Sequence, residues 1–251
     1  MTFQTIYGAI FDLRGTLALP TRPETEMREE GVAAAVRFLG EQGLALPQEE
    51  FHKAYLDALA FAERKSSVEQ EEHLATDTLV FLLQFYGYVN LPAELIRQAV
   101  DYTFAPDLSA YEVDSAAFEV LEGLRRREMK LGLLVNSQDE PAELRLIEKL
   151  GLLPYFHDIV ISAGHEERWR KPRREAWLSF VEKWDMQPHE LVMVGDDLVE
   201  DILGALNAQM WTIWLRRHSA GSELERAIHP DAIITDLVDV ITVIDRWEQG
   251  G

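Results

Sequence analysis

With 251 residues, 47% of them apolar, the chain is long enough for one large domain or a domain with an insertion, and its lack of cysteine excludes disulfides and thiolate chemistry. A formal net charge of −20 argues against nucleic acid or an anionic membrane as partner, while saying little about a small anionic substrate held by a local cation. No run approaches the ~20 apolar residues of a membrane span, and the start MTFQTIYGAI lacks the basic and apolar stretches of a secretory leader, so a cytoplasmic protein is expected.

The first element is an apolar run over residues 6–13, with the length and composition of a buried strand. It delivers Asp12 to a glycine turn, followed by Arg14, Gly15 and Thr16. Residues 20–106 break from strand patterning. The segments EEGVAAAVRFLGEQG, EEFHKAYLDALAFAERKS, EHLATDTLVFLLQFYG and PAELIRQAVDYTF read as four amphipathic helices, with Gly or Pro at most joins. Beyond them, helices over 115–128, 141–150, 174–184 and 200–208 alternate with strands over 131–135, 159–162, 191–194, 211–215 and 232–234. That alternation predicts an α/β fold: a doubly wound, Rossmann-like parallel sheet covered on both faces. The core domain is expected over 1–19 plus 107–251, with 20–106 inserted as an α-helical cap domain. Ligands of such sheets bind beyond the carboxyl ends of the strands, so helices inserted there are placed to cover the site as a lid.

Polar residues gather at those strand ends. Asn136 and Ser137 follow one strand, the loop RWRKP carries Lys171 beyond the next, and GDDLVED supplies Asp196, Asp197 and Asp201 after another. Any one carboxylate there reads as a turn or helix-capping residue. Several converging carboxylates repel one another unless a cation holds them, and a hard, oxygen-seeking ion such as Mg²⁺ suits the set. Asp12 could then serve as a nucleophile, since carboxylates form aspartyl-phosphate intermediates. Mg²⁺ and Lys171 would neutralise a phosphoryl group in transfer. Thr16, past the glycine turn, can meet an anion through its hydroxyl and nearby backbone N–H groups.

In their order, FDLRGTL, LGLLVNS, RKP and VMVGDDLVEDILGALNAQM resemble the four motifs of the haloacid dehalogenase (HAD) superfamily of hydrolases, and the helical insertion resembles its cap. The resemblance implies that Asp12 is nucleophile and metal ligand, that position 14 gives the metal its backbone carbonyl, and that Lys171 steadies nucleophile and phosphate. It implies that Asp196 ligates the metal, that Asp201 orients Lys171 or the metal's waters, and that Asp197 contributes around the ion. Thr16 would shape the loop beside the phosphate, with Asn136 and Ser137 on the substrate side. The implied cofactor is Mg²⁺ and the implied substrate a small phosphorylated molecule. A minority of the superfamily cleaves carbon–halogen or carbon–phosphorus bonds.

Three positions depart from the family pattern. Arg14 stands where the phosphatases carry an aspartate that protonates the leaving alcohol and later deprotonates water. A guanidinium with a pKa above ~12 can do neither, and losing a general acid–base costs ~10²–10⁴ in rate. Arg14 could also pair with Asp12 in a bidentate fork, quenching it and competing with the ion. Val135 falls where a Thr or Ser hydrogen-bonds the phosphoryl group, a loss of ~10²–10³. Ser137 substitutes only if the loop bends to present it. Arg168 stands where the lysine loop more often carries glycine, and RWRK either marks an anion pocket or pairs with nearby glutamates.

Three readings stay open: a Mg²⁺-dependent phosphohydrolase of low or altered efficiency, which leads; a dehalogenase-type hydrolase whose leaving group needs no proton; and a silenced scaffold acting as a binding or regulatory module. His52, His73, His165, His218 and His229 lack metal-ligand spacing. Phe81, Phe85 and Tyr86 recur at helical spacing and are expected inside the helical insertion, with Trp211 and Trp214 beneath helices of the sheet.

Overall fold

The computed structural model describes residues 5–219 and 221–250. In chain order the elements begin with β1 (Gly8–Phe11), β2 (Ala18–Pro20) and helices α1 (Glu24–Glu41), α2 (Gln48–Glu69), α3 (Ala75–Phe85) and α4 (Ala93–Phe104). A short turn α5 (Asp107–Ala110), β3 (Tyr111–Val113), α6 (Ala117–Arg125), β4 (Lys130–Val135), α7 (Glu140–Lys149), β5 (Asp158–Ile161) and α8 (Glu175–Trp184) follow. Then come β6 (Leu191–Gly195), a π-helical turn (Leu198–Leu203) running into α9 (Gly204–Asn207), β7 (Trp211–Leu215), α10 (Ser222–Ala227), β8 (Ala232–Ile234) and α11 (Asp239–Glu248).

Six strands form one parallel sheet in the order β5-β4-β1-β6-β7-β8. Side chains of a strand alternate between faces, and both faces are buried. Ala9, Phe11, Leu131, Leu133, Val192 and Val194 join one core with α6, α7 and α11. Ile10, Leu134, Leu191 and Met193 join the other with Trp177 and Phe180 of α8. The near-continuous apolar runs of the sequence are the signature of strands buried on both sides. Strand order reverses at β1, which pairs with β4 on one side and β6 on the other. That reversal opens a crevice at the carboxyl ends of the three strands.

Helices α1–α4 close on a core of their own, including Val32, Phe51, Tyr55, Leu79, Leu83 and Val100. The chain leaves for them and returns through an antiparallel ribbon, with Ala18 opposite Val113 and Pro20 opposite Tyr111. Strands of three residues carry too little alternation to register in the sequence, and this pair went unanticipated. Phe81 and Phe85 correct another expectation: they are 74% and 82% exposed, while Tyr86 packs edge-on against Phe51. Helix α3 is apolar on almost every side, so its periodicity selects no unique face, and Leu79, Leu82 and Leu83 take the interior. Trp214 is buried as expected, and the half-buried Trp211 tilts against Trp247 of α11.

A seam of ion pairs joins the helical layer to the sheet. Arg97 of α4 reaches Asp139 at 2.5 Å, Arg145 of α7 reaches Asp101 at 2.6 Å, and Arg168 reaches Asp77 at 3.1 Å. Backbone bonds add to it, with Glu72 N–H donating to the Arg168 carbonyl and Ala75 N–H to that of Gln138. No helix among the described residues is long and apolar enough to cross a membrane.

Candidate active site

Asp12 follows β1 directly, its N–H donating to the Val194 carbonyl at 3.0 Å, so the sheet ladder itself fixes its backbone. The ammonium of Lys171 is its partner, with Nζ 2.5 Å from Asp12 Oδ1 and 2.7 Å from Asp201 Oδ1. All three side chains are nearly sealed from solvent. One cation thus serves two buried carboxylates, a geometry that repays its desolvation only while all partners stay in place.

Asp196, after β6, completes a group in which oxygens of Asp12, Asp196 and Asp201 lie within 4.8 Å of one another. Thr16 Oγ1 donates to Asp196 Oδ1 at 3.1 Å, and the Trp214 indole donates to the Asp196 carbonyl at 2.9 Å. Two glycines make the approach possible. Gly15 adopts φ +84°, and a Cβ there would stand 2.3 Å from Asp196 Oδ2. A Cβ on Gly195 would stand 2.3 Å from Asp201 Oδ2. Burial pushes the Asp12 carboxyl up to about 6, with Lys171 opposing and Asp196 adding to the rise. Burial and then the charge of Asp201 carry Asp196 to about 6. Burial also carries Asp201 to about 7 against the pull of Lys171. Burial works against the charge on Lys171, but Asp12 and Asp201 outweigh it and hold the ammonium above its ordinary range. Three hard oxygen donors that repel one another fit a divalent cation of the Mg²⁺ type.

Asp197 stands outside that trio among the described residues. Its Oδ1 accepts from the N–H groups of Val199 and Glu200 at 2.7 Å, capping the π-helical turn, while its own N–H donates to Asp201 Oδ2 at 3.1 Å. The turn replaces the start of the helix expected over 200–208. Such π turns are short and cluster at functional sites, and this one sets Asp201 behind Lys171.

Asn136 clamps the lysine loop. Its Oδ1 accepts from Lys171 N–H at 2.9 Å, and its Nδ2 donates to the Lys171 carbonyl at 3.2 Å and to Glu200 Oε2 at 2.9 Å. Ser137 N–H donates to Ser162 Oγ at 2.9 Å, and its hydroxyl exchanges a 3.3 Å contact with Asp139. Val135 is buried at the end of β4 and brings no donor.

Arg14 does not fork onto Asp12. Its Nη2 donates to Glu143 Oε2 at 2.9 Å and to Asp107 Oδ2 at 3.1 Å, with the guanidinium 4.6 Å over the Tyr111 ring. Lys171 has already claimed Asp12, whereas Glu143, sealed in the first turns of α7, has no other cation. RWRK resolves as pairing: Arg170 bonds Glu72 at 3.1 Å and Glu200 at 2.9 Å, and Arg168, at φ +52°, bonds Asp77.

Sequence reasoning missed Arg217, whose Nε donates to the Gly15 carbonyl at 2.6 Å and whose Nη2 donates to that of Thr16 at 3.1 Å while pairing with Asp114. It also missed Glu143 and Asp107. None lies in a motif, and a partner 129 residues away from Arg14 leaves no local signal.

These groups line one cavity of about 290 Å³. Its lining falls into two groups: a floor of Asp12, Lys171, Asp196 and Asp201, and a wall of Arg14, Asp107 and Glu143 with Glu24, Arg28 and Glu63 of the helical layer. The arrangement brings a buried carboxylate, a fixed ammonium and an acidic cluster that could hold a cation into one cavity.

The model of the haloacid dehalogenase-like hydrolase family matches residues 6–209. Among curated proteins, the chain is 28% identical over 129 residues to the pyrophosphatase PpaX of Bacillus mycoides, covering 51% of this chain and 58% of that one. It is 28% identical over 223 residues to a glyceraldehyde 3-phosphate phosphatase of Methanothermobacter thermautotrophicus, covering 86% and 87%. The chain spans about half the length of several curated relatives it matches. A 2-haloacid dehalogenase from Pseudomonas syringae pv. tomato shares its fold, with a TM-score of 0.67 at 24% identity over 97% of this chain and 100% of that one.

Proposed function

From its membership of the haloacid dehalogenase-like hydrolase family, we propose that this chain hydrolyses a small phosphorylated molecule, in a Mg²⁺-dependent reaction through an aspartyl intermediate at Asp12. The observation that carries the reading is Lys171 Nζ seated between Asp12 and Asp201, with Asp196 alongside. Asp12, Asp196, the backbone carbonyl of residue 14 and, behind them, Asp201 would hold the ion. When bound, Mg²⁺ supplies charge neutralisation for the phosphoryl oxygens.

Each side chain then has a task. Asp12 attacks phosphorus; Lys171 holds its carboxylate in place and meets the equatorial charge. Asp201 keeps Lys171 aimed, and Asn136 keeps its loop closed on the strand end. Thr16 fixes Asp196, and Arg217 holds the Gly15–Thr16 turn from outside. Residues 20–106 act as a cap that limits water, and the core comprises 1–19 plus 107–251. The phosphatase and pyrophosphatase relatives support phosphate over halide as the leaving chemistry. The separation of Arg14 from Asp12 supports an available nucleophile over a silenced scaffold.

A panel of phosphate compounds, with and without Mg²⁺, tests the reading on wild type and Asp12→Asn. Turnover that needs both the ion and Asp12 is expected. Metal-independent turnover at equal rate, or halide release from 2-haloacids in its place, refutes it.

A further inference from the structure

Building on that reading of the site, we infer that the substrate is an activated phosphoryl donor, a phosphoanhydride or an acyl phosphate, whose leaving group departs as an anion without receiving a proton. Arg14 faces that departing group and cannot donate a proton. The other carboxyls around the cavity each have at least one oxygen engaged as a hydrogen-bond acceptor, while Glu143 Oε1 is sealed without a partner. Glu143 and Asp107 accept from Arg14, Glu63 from Arg28 and Glu24 from the Tyr111 hydroxyl. Asp197 accepts from backbone N–H groups, and Glu200 from Arg170 and Asn136. Each of these partners is a donor that a carboxylate satisfies in its ionised form. The pairs with Arg14 and Arg28 favour ionised carboxylates on this wall, and Asp107, which burial pushes up against the pull of Arg14, is the carboxyl to test as an acid.

What the wall offers is two guanidinium groups, Arg14 and Arg28, set among four carboxylates. Arg14 uses only Nη2 in its ion pairs, and its side chain is 27% exposed. Arg28, on the same wall, uses only Nη1. An alkoxide leaving group is the conjugate base of an acid about as weak as water, pKa ~16. A carboxylate belongs to an acid of about 4 and a phosphate monoester dianion to one of about 6, with inorganic hydrogen phosphate far nearer these than to an alkoxide. Arginine stabilises the latter two by charge, and the alkoxide needs a proton that Arg14 does not supply.

The steps balance without an acid residue. An Asp12 oxygen bonds to phosphorus as the bond to the leaving oxygen breaks, and that oxygen keeps the electron pair, departing as carboxylate or hydrogen phosphate. Water then bonds to phosphorus as Asp12 leaves as a carboxylate. Both protons of the water stay on the product, which forms as dihydrogen phosphate.

The test is kcat/KM with Mg²⁺ for acetyl phosphate, pyrophosphate, glycerol phosphate and a series of aryl phosphates whose phenols reach a pKa of about 10. Wild type, Asp12→Asn, Arg14→Asp, Arg14→Gln and Asp107→Asn are compared. Wild type is expected to turn over acetyl phosphate or pyrophosphate and to lose rate steeply as the leaving group becomes more basic; the better of the two names the source. Arg14→Asp, by restoring an acid, is expected to narrow the gap to glycerol phosphate by ~10²–10⁴. Arg14→Gln, which adds no third carboxylate beside Glu143 and Asp107, is expected to slow the activated donors and keep the steep slope. Equal wild-type rates on glycerol phosphate and the activated donors overturn the inference while leaving the proposed function standing. So does an Asp107→Asn variant that loses glycerol phosphate turnover alone, since Asp107 would then be the acid. Absence of any Asp12-dependent turnover removes the proposed function, and the inference with it.

Discussion

The floor and the wall of the cavity are built by different rules. On the floor, Asp12, Lys171, Asp196 and Asp201 are each fixed at least twice: by the sheet ladder or a clamped loop, and by a side-chain partner. On the wall, Arg14, Asp107, Glu143, Glu24 and Arg28 come from four separate segments and are tied through side chains, Arg14 to Asp107 and Glu143, Glu24 to Tyr111 and Arg28 to Glu63. Chemistry common to many substrates sits where the backbone dictates position, and selectivity sits where a substitution moves one side chain.

The sharpest way to break this contrast is at the floor. Asp12→Asn removes the proposed nucleophile while keeping its shape, and turnover is expected to fall by about 10⁴ or more; residual activity near wild type in a steady-state assay would move the nucleophile elsewhere. Lys171→Met comes next. It leaves Asp12 and Asp201 buried without their cation, which costs about 3–5 kcal/mol at neutral pH. Urea denaturation reads that loss, and it should shrink toward about pH 5, where the two carboxyls take up protons instead.

Metal binding gives a smaller and reversible effect. Asp12, Asp196 and Asp201 titrate at about 6, 6 and 7 in the folded chain against an ordinary 3.8. A raised acid pKa means that the folded chain keeps protons the unfolded chain has lost. Their contribution to stability is therefore present at low pH and is lost as pH rises from about 4 through about 7. Mg²⁺ competes with those same protons. At a concentration 100-fold above its Kd it should stabilise by about 2.7 kcal/mol near pH 8, and by far less near pH 5.5, as thermal unfolding would record. An equal shift at both values would exclude these carboxylates as the site.

The smallest effect expected lies on the seam beside the lysine loop. Arg168 holds a left-handed conformation that costs a non-glycine residue about 1–2 kcal/mol, and its pair with Asp77 is solvent-exposed and worth at most ~1. Arg168→Gly should therefore change stability by under about 1 kcal/mol, toward greater stability, with turnover unchanged.

The sheet was legible because each of its strands is a nearly unbroken apolar run, and strand-end position then gathered Asp12, Asn136, Lys171, Asp196 and Asp201 at one edge. The ribbon of β2 and β3 was not, being too short to alternate. Arg14 was open to a fork with Asp12 and makes none for a different reason: charge pairing is decided by which partner lies close in space. Lys171 arrives from 159 positions away and Glu143 from 129. Sequence adjacency says nothing about either. Phe81 and Phe85 show the same limit in apolar terms, since a helix greasy on every side does not say which side is inside.

The ion pairs joining the helical layer to the sheet are graded in depth. Arg170 and Glu72 are 8% and 0% exposed in their side chains, Arg97 and Asp139 27% and 3%, Arg145 and Asp101 41% and 37%, and Arg168 and Asp77 37% and 63%. At physiological ionic strength the Debye length is about 8 Å, and added salt screens exposed pairs first. The seam is thus a clasp that salt undoes from the rim inward: the outer links slacken early, and the buried ones keep the helices seated over the crevice long after.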